Sequence, residues 1–459
     1  MNDFNTEFQH NKRHIINHFI VRIGIYLCVT VLAPSLGMAQ LEIDGSHGDV
    51  SYYDSTYLRY DNYTYAKNVK TVLLHPKGWK LGPPVIELNE EGSILELHFD
   101  VLDSAMGNYM YTVIHCDHDW TQSDLDVQEY LDGPPEDYLT DYDFSRNTFQ
   151  KFTHYYLDIP NFNIRITKSG NYLLKVFDSD DREKLILTRR FCVTEDLIKV
   201  EAKVKQATMV KQRYSHQEID FSIIPDQYMI TNPYRDLHVV VLQNHSWEMS
   251  IDDLEPRFVK EDRLDYDYEG QNAMSGMNEF RLIDISNPRF TGYGVASVKF
   301  NQSENHAYLE QDKSRLSKVY LQREDMNGWY FVKNDLFGGE GTVDADYVST
   351  HFSLKQDKAI ADGDVYIYGA LTDWRIVPHA KMTYNQKSLQ YENTLYLKQG
   401  LYNYCYAFVY DGEYEPDLMR FEGAHFQTEN EYSILVYHRQ LGRDFDRLLS
   451  FKTIKYPSN

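Results

Sequence analysis

The chain has 459 residues and 46 Lys and Arg against 69 Asp and Glu, a formal net charge of −23. At about 150 residues per domain that length makes roughly three domains, and 42% hydrophobic with 25% charged content excludes gross disorder. The acidic balance excludes a protein that binds nucleic acid by neutralising phosphates, and equally a polybasic membrane-surface protein. An unusual 38 Tyr accompany 23 Phe and 5 Trp. Aromatic side chains favour half-buried pleated surfaces, so the composition points to an all-β fold.

The N-terminus reads as an address. Lys12, Arg13 and Arg22 precede an apolar run over 23–33, and Gly37-Met38-Ala39 supplies small residues. This order predicts a secretory signal peptide over 1–39, cut between Ala39 and Gln40. The uncharged stretch 23–38 has 16 residues, short of the roughly 20 a spanning helix needs, and Pro34 and Gly37 interrupt its end. Cys28 lacks the small residues of a lipoprotein site before it. No later segment approaches the length of a membrane helix, so the expectation is an exported chain that does not itself span the membrane. Past the signal the chain keeps Cys116, Cys192 and Cys405. Three thiols allow at most one intramolecular bridge, so packed cores must supply the stability. Spacing does not say which pair, if any, is bonded.

Residues 40–68 are rich in Tyr, Asp and Ser and read as an irregular leader. From 69 onward short alternating runs appear. Over 94–100, Leu95, Leu97 and Phe99 share one face while Glu96, His98 and Asp100 share the other, the period-two pattern of a half-buried strand. The runs 109–116, 153–159, 171–178 and 185–193 also read as strands. Clusters such as Asp132-Gly133-Pro134-Pro135 and Ser169-Gly170-Asn171 separate them as turns. These define a first antiparallel β-sandwich over 69–196. A second sandwich is expected over 197–345, with strands at 218–223, 239–242, 293–300 and 319–322. The run 239–242 is apolar throughout, as for a buried strand. The glycine-rich stretch Gly338-Gly339-Glu340-Gly341 reads as a linker before a third sandwich over 346–459.

The densest cluster of reactive side chains is His115-Cys116-Asp117-His118-Asp119-Trp120. Two His, two Asp and a Cys are all metal-ligand types, and a metal hydrolase built on His115 and His118 is one reading. On a strand, however, His115 and His118 point to opposite faces. Past the signal peptide no Cys-x-x-Cys or His-x-x-x-His completes a four-ligand set. The expectation is a strand running into an acidic turn with Trp120 packed beneath it, and no metal or cofactor. Gly-x-Ser-x-Gly, Gly-x-Gly-x-x-Gly and a Walker loop are absent. Gly338, Gly339 and Gly341 lack the Lys a phosphate cradle needs. Acidic pairs such as Asp180-Asp181 read as solvated turns. No catalytic residue is assigned.

Two resemblances attach to particular residues. The stretch Val72-Leu73-Leu74-His75-Pro76-Lys77-Gly78-Trp79, followed by Pro83-Pro84-Val85-Ile86-Glu87-Leu88-Asn89, resembles the opening of the type IX secretion system plug proteins. So do Tyr111 through Asp117, Glu129-Tyr130-Leu131-Asp132-Gly133, Thr167 through Tyr172, Leu187-Thr188-Arg189-Arg190-Phe191 and Asn278-Glu279-Phe280-Arg281. The likeness runs in order from about 69 past 330. It implies a non-enzymatic periplasmic β-protein that docks on the large outer-membrane secretion barrel, at the inner face of that membrane, and closes it between secretion events. The second resemblance covers 363–412. Gly363 through Trp374, then Gln399-Gly400-Leu401-Tyr402-Asn403-Tyr404, are similar to an early-set, glycogen-binding-type sandwich of the immunoglobulin-like class. There the matching Trp stacks on sugar rings, so Trp374, with Tyr414 as a second aromatic, are the candidate carbohydrate-stacking residues. The hairpin Tyr404-Cys405-Tyr406-Ala407-Phe408 lacks the Lys such proteins use, which favours kinship of fold with Trp374 and Tyr396 in the core or on an aromatic face. A periplasmic carbohydrate-binding protein is the alternative function.

Overall fold

The structure, a computed structural model, describes residues 56–103, 106–252, 254–300, 303–336 and 341–457. The expected signal peptide, its cleavage between Ala39 and Gln40, and Gly338-Gly339-Glu340 of the expected linker lie outside the described residues. Nearly all the regular structure is β, in sheets whose pairings are mainly antiparallel. The all-β expectation therefore holds.

Two sheets make the first sandwich. One runs in the order Tyr63–Thr64, Leu185–Thr194, Gly170–Asp178, Tyr109–Cys116, Asp137–Leu139, with Val85–Glu87 parallel to Leu185–Thr194. The other runs Val69–Pro76, Leu95–Leu102, Phe152–Ile159, Tyr142–Phe144. The alternation read at 94–100 sets the inner face. Leu95, Leu97, Phe99 and Val101 enter the core with Val113, Tyr172, Leu174 and Val176 from the facing sheet. Glu96, His98 and Asp100 are thereby turned to the other side. The end of the Tyr-rich leader is ordered against this sandwich. Tyr63 and Thr64 pair with Thr188 and Leu187, and the Arg59 guanidinium lies 4.0 Å from the centre of the Tyr63 ring.

The next two sandwiches do not follow one another along the chain. Lys199–Gln206, His216–Ile224, Leu264–Tyr266 and Phe258–Val259 form one sheet of the second sandwich, with Ala273–Ser275 added to His216–Ile224. Its partner sheet runs Ser246–Ile251, Leu237–Gln243, Asn430–His438, Arg447–Tyr456. Leu237 opposes His438 and Gln243 opposes Tyr432, so residues expected in two modules share one ladder. The third sandwich lies between these strands in sequence. Arg281–Asp284, Gly400–Tyr410 and Tyr330–Val332 form one sheet, with Gly363–Tyr368 also on Gly400–Tyr410. Val295–Phe300, Asn305–Leu309, Tyr347–Lys355, Gln390–Lys398 and Thr383–Asn385 form the other. The expected linear division at 345 and 346 thus runs through interleaved strands. The physical reason lies at 239–242. Val239 and Val241 fill the second core, while Val240 and Leu242 face the first sandwich. A strand buried on both faces needs ladder partners on both edges. The hairpin strand Ser246–Ile251 supplies one edge, and the returning C-terminal strands supply the other.

One expected strand is absent. Residues 319–322 join no sheet, leaving Val319 90% and Leu321 61% exposed. Only Tyr320 turns inward, where its hydroxyl donates to the Glu279 carboxylate.

The sandwiches meet through surfaces built like cores. Cys116, Leu173 and Cys192 of the first pack on Val240, Leu242, Leu435 and Tyr437 of the second. Between the first and third, Leu102 and Phe152 pack on Tyr347. Beside them a buried ion pair crosses the junction. Lys398 Nζ lies 2.6 Å from Asp100 Oδ2, and both side chains are 1% exposed. Tyr347 donates to the same oxygen at 2.7 Å, and His154 Nδ1 donates to Oδ1 at 2.7 Å. Burial raises the Asp100 carboxyl, but the Lys398 ammonium and the His154 hydrogen bond outweigh it and hold the group below the ordinary carboxylate range. Removing one member of such a pair strands the other without water. Lys398→Met is therefore expected to lower unfolding stability by about 3–5 kcal/mol, read as a shift of the guanidinium unfolding midpoint.

Candidate functional site

The structure separates the residues of the His115 cluster. His115 sits at the end of Tyr109–Cys116, fully buried. Its Nε2–H donates to the Ser169 carbonyl at 3.1 Å and its Nδ1 accepts from the Ser123 hydroxyl at 2.9 Å. Burial pushes its pKa down to about 4. The backbone then turns, with Trp120 N donating to Asp117 O and Trp120 at φ 66°. His118 emerges on another side, where its Nδ1 lies 2.7 Å from Asp446 Oδ2 and its backbone N–H donates to that oxygen at 3.1 Å. The two imidazoles therefore satisfy separate partners and form no joint ligand set. Trp120 packs as expected, with the Arg190 guanidinium 4.4 Å from the centre of its ring.

Cys116 and Cys192 flank the same residue from opposite edges. Asn171 opposes Cys116 on one neighbouring strand and Cys192 on the other. Two strand spacings put them about 10 Å apart, beyond the roughly 7 Å limit for a disulfide. Cys116, Cys192 and Cys405 are all free and buried. Burial pushes the Cys116 and Cys192 thiols up to about 12.

Trp374 follows a short 3-10 turn, with Asp373 at φ 54° and Trp374 at φ 57°. Its ring is 5% exposed and is boxed edge-on by Phe280, Tyr368 and Trp329 at 5.8, 5.9 and 6.2 Å. Gly328 allows this fit, because a Cβ there would sit 2.1 Å from the indole. A ring covered in this way offers no face to a sugar. Tyr414 stands 70% exposed in the turn after Gly400–Tyr410, and no ring contact joins it to Trp374 among the described residues. Tyr396 is half-buried and stacks on Tyr347 at the junction of the first and third sandwiches.

Several of the motif residues instead lie where sandwiches meet. Arg189 reaches Asp373 at 3.2 Å, and Arg375 of the third sandwich pairs with Asp61 of the leader. Arg190 Nε donates to Tyr60 O at 2.7 Å. In the third sandwich Arg281 grips Glu422 through Nε and Nη2, both at 2.9 Å, and Asp312 at 2.6 Å. Arg315 Nε reaches the same Glu422 at 2.7 Å. Sequence reasoning missed Asp312, Glu422 and Asp446, since each partner lies far along the chain and only the fold makes them neighbours.

The first sandwich also carries an open cleft of about 410 Å³, lined by Lys77, Glu96, Tyr138, Tyr156, Asp158 and Phe162 among others. Lys77 spans it to Asp158 at 2.7 Å and Glu96 at 3.6 Å. The Phe162 ring is 88% exposed on this surface. No described helix is long and apolar enough to cross a membrane.

Comparison with known proteins gives this architecture a family. Residues 69–195 match the first domain of the type 9 secretion system plug protein. A crystal structure of a hypothetical protein from Parabacteroides merdae superposes with a TM-score of 0.83 at 32% identity, covering 87% of this chain and all (100%) of that one. The chain belongs to the type 9 secretion system plug protein family. Its role thus lies in type 9 secretion, and the early-set resemblance of the third sandwich has no counterpart in these matches. A putative membrane anchored protein from Corynebacterium diphtheriae aligns at 8% identity with a TM-score of 0.12, too low to relate the folds. No curated protein matches the chain.

Two outcomes follow for this plug-family fold. His115 titrates near 6.5 when unfolded and about 4 when folded. Between those values the unfolded chain binds a proton that the folded one refuses. Its contribution is complete above 6.5 and is lost as pH falls towards 4, by up to roughly 3 kcal/mol. Urea midpoints should fall over this range, and less so in His115→Gln. Non-reducing peptide mapping should recover Cys116 and Cys192 as unbridged thiols.

Proposed function

We propose that the chain is a non-enzymatic plug, which docks from the periplasmic side on the outer-membrane barrel of the type 9 secretion system and occludes it. The observation that carries this reading is the family match over 69–195 on a body whose sandwiches are joined by buried apolar surface and paired charge. A passage wide enough for folded cargo leaks small solutes unless something stiff covers it. Domains joined by small polar contacts rock against one another. Here the ladder between Leu237–Gln243 and Asn430–His438 is covered on both faces and a buried ion pair ties the first sandwich to the third, so the molecule closes a hole without flexing. The net charge of −23 disfavours indiscriminate association. Location in the periplasm follows from the same reading, as does export by the N-terminal segment. The carbohydrate-binding alternative gains no support from the covered Trp374 ring.

Co-purification decides the matter. Tagged protein expressed in its own host should retain the large outer-membrane barrel through mild-detergent extraction and gel filtration. Failure to retain it, with the protein folded, would overturn the reading. Titration with soluble glucans should give no heat.

A further inference from the structure

Three clusters of His, Asp and Glu place a ligand atom from each member within 4.8 Å of the others: His75, Glu96 and His98; His118, His238 and Asp446; and Glu218, Asp220 and Asp267. Two are closed to a metal by their own geometry. The Lys205 ammonium already occupies the third, 3.1 Å from Glu218 and 3.9 Å from Asp267, and it pairs with Asp220 as well. In the second, the His118 and His238 rings lie face to face, 3.7 Å apart and 11° from parallel. An ion shared between two rings so stacked would sit well out of both ring planes, away from the nitrogen lone pairs. Arg439 also holds Asp446 at 2.9 Å, placing a positive charge where the ion would go.

The first cluster is less crowded: Lys77 meets its carboxylate at 3.6 Å, longer than the closest Lys205 and Arg439 contacts, and its two rings stand farther apart. His75 comes from Val69–Pro76 and Glu96 and His98 from Leu95–Leu102, on the outer face of the first sandwich. The register pairs Leu73 with His98 and His75 with Glu96, so the three side chains are neighbours on adjacent strands. The ring centroids of His75 and His98 are 5.5 Å apart. Two imidazoles sharing one tetrahedral ion, each nitrogen about 2.1 Å from it, hold their centroids roughly 5 Å apart.

The hydrogen bonds then fix which nitrogens are free. His75 Nδ1 donates to the Pro76 carbonyl at 3.1 Å, which leaves a lone pair on Nε2. His154 Nδ1 donates to the Asp100 carboxylate at 2.7 Å, so its Nε2 accepts from His98 Nδ1 at 3.1 Å. That leaves a lone pair on His98 Nε2 too. No hydrogen bond is made by either Nε2 among the described residues. Two imidazole lone pairs and a carboxylate therefore converge, with the Lys77 ammonium 3.6 Å from the carboxylate and no hydrogen bond joining the three acceptors to one another. Metal-ligating imidazoles are held in this manner, with the second nitrogen donating to a carbonyl or to a carboxylate chain. Burial, reinforced at His98 by its histidine neighbours, lowers the pKa of both rings and keeps them neutral, as ligation requires.

We propose that His75 Nε2, His98 Nε2 and the Glu96 carboxylate form a binding site for one divalent transition-metal ion of the Zn2+ type. Two imidazoles and one carboxylate are a donor set for Zn2+ and its neighbours rather than for Ca2+, which takes six or more oxygens. Three protein ligands leave a further position open, and Glu96 also lines the cleft that Lys77 spans. The site is independent of the plug reading, and neither fails with the other.

The test uses the full chain, stripped with chelator and dialysed. Titration calorimetry with Zn2+ should show one equivalent bound, and Ca2+ should not compete. Glu96→Gln removes a ligand from a partly exposed position without touching the core, and should weaken Zn2+ at least tenfold. His98→Gln should do the same, whereas His118→Gln should leave the affinity within twofold of the original. Absence of Zn2+ binding, equal affinity for Ca2+, an unchanged Glu96→Gln protein, or loss of the site in His118→Gln would each overturn the proposal.

Discussion

Burial of both faces of the ladder between Leu237–Gln243 and Asn430–His438 is the constraint on which the other junctions depend. On one side Val239, Val241, Ile434 and Val436 close the second core; on the other Val240, Leu242, Leu435 and Tyr437 meet the first sandwich. Alternation along a strand normally separates core from water. Here it separates one core from a second apolar contact, so these strands have no solvent side. The consequence for the chain path is direct. A central strand with both faces covered must also be paired along both edges, or its buried amide groups go without partners. The strand that completes it arrives only after the whole third sandwich has been made, so one end of that insertion leaves from each sheet of the second sandwich.

Charge specifies how the surfaces meet. Replacing a buried pair such as Asp100 and Lys398 with apolar side chains of similar volume often costs little stability. What the pair adds is a requirement of position, because each group is tolerated only where its partner stands. Asp100 takes Lys398 and Tyr347 from the third sandwich and His154 from its own. Glu422 takes Arg281 and Arg315, and Asp446 takes His118 from the first sandwich and Arg439 from the second. Each acid gathers donors brought from different parts of the chain; those of Asp100 and Asp446 come from two sandwiches, so a shift of one against another breaks several charge-assisted bonds together.

The sequence carries the local part of this plainly and the non-local part hardly at all. Period two at 94–100 identifies a strand and its inner face, because alternation is a property of one segment. The apolar run at 239–242 reads as a buried strand for the same reason. Neither says which strand lies alongside, and β pairing is the non-local quantity. That is why the insertion of the third sandwich escaped a linear reading, and why residues 319–322 looked like a strand though no partner runs beside them. The candidate residues divide the same way. The separation of His115 from His118 is set within three residues, by the end of the strand at Cys116 and the turn that follows it. The distance between Cys116 and Cys192 depends on which strand lies between them, and the trio of His75, Glu96 and His98 appears only once the register of two strands is known.

That trio is tied to the junction by a chain of hydrogen bonds. His98 donates to His154, and His154 donates to Asp100, which also holds Lys398 across the boundary. Hydrogen bonds in series polarise one another. A cation on His98 Nε2 would draw electron density from its ring and make Nδ1–H a stronger donor to His154. His154 would in turn give more strongly to Asp100, whose carboxylate is the shared acceptor of the junction. The effect has one sign, since every proton in the series is donated toward Asp100. An ion at the outer face of the first sandwich would therefore stiffen its union with the third, without any displacement of strands.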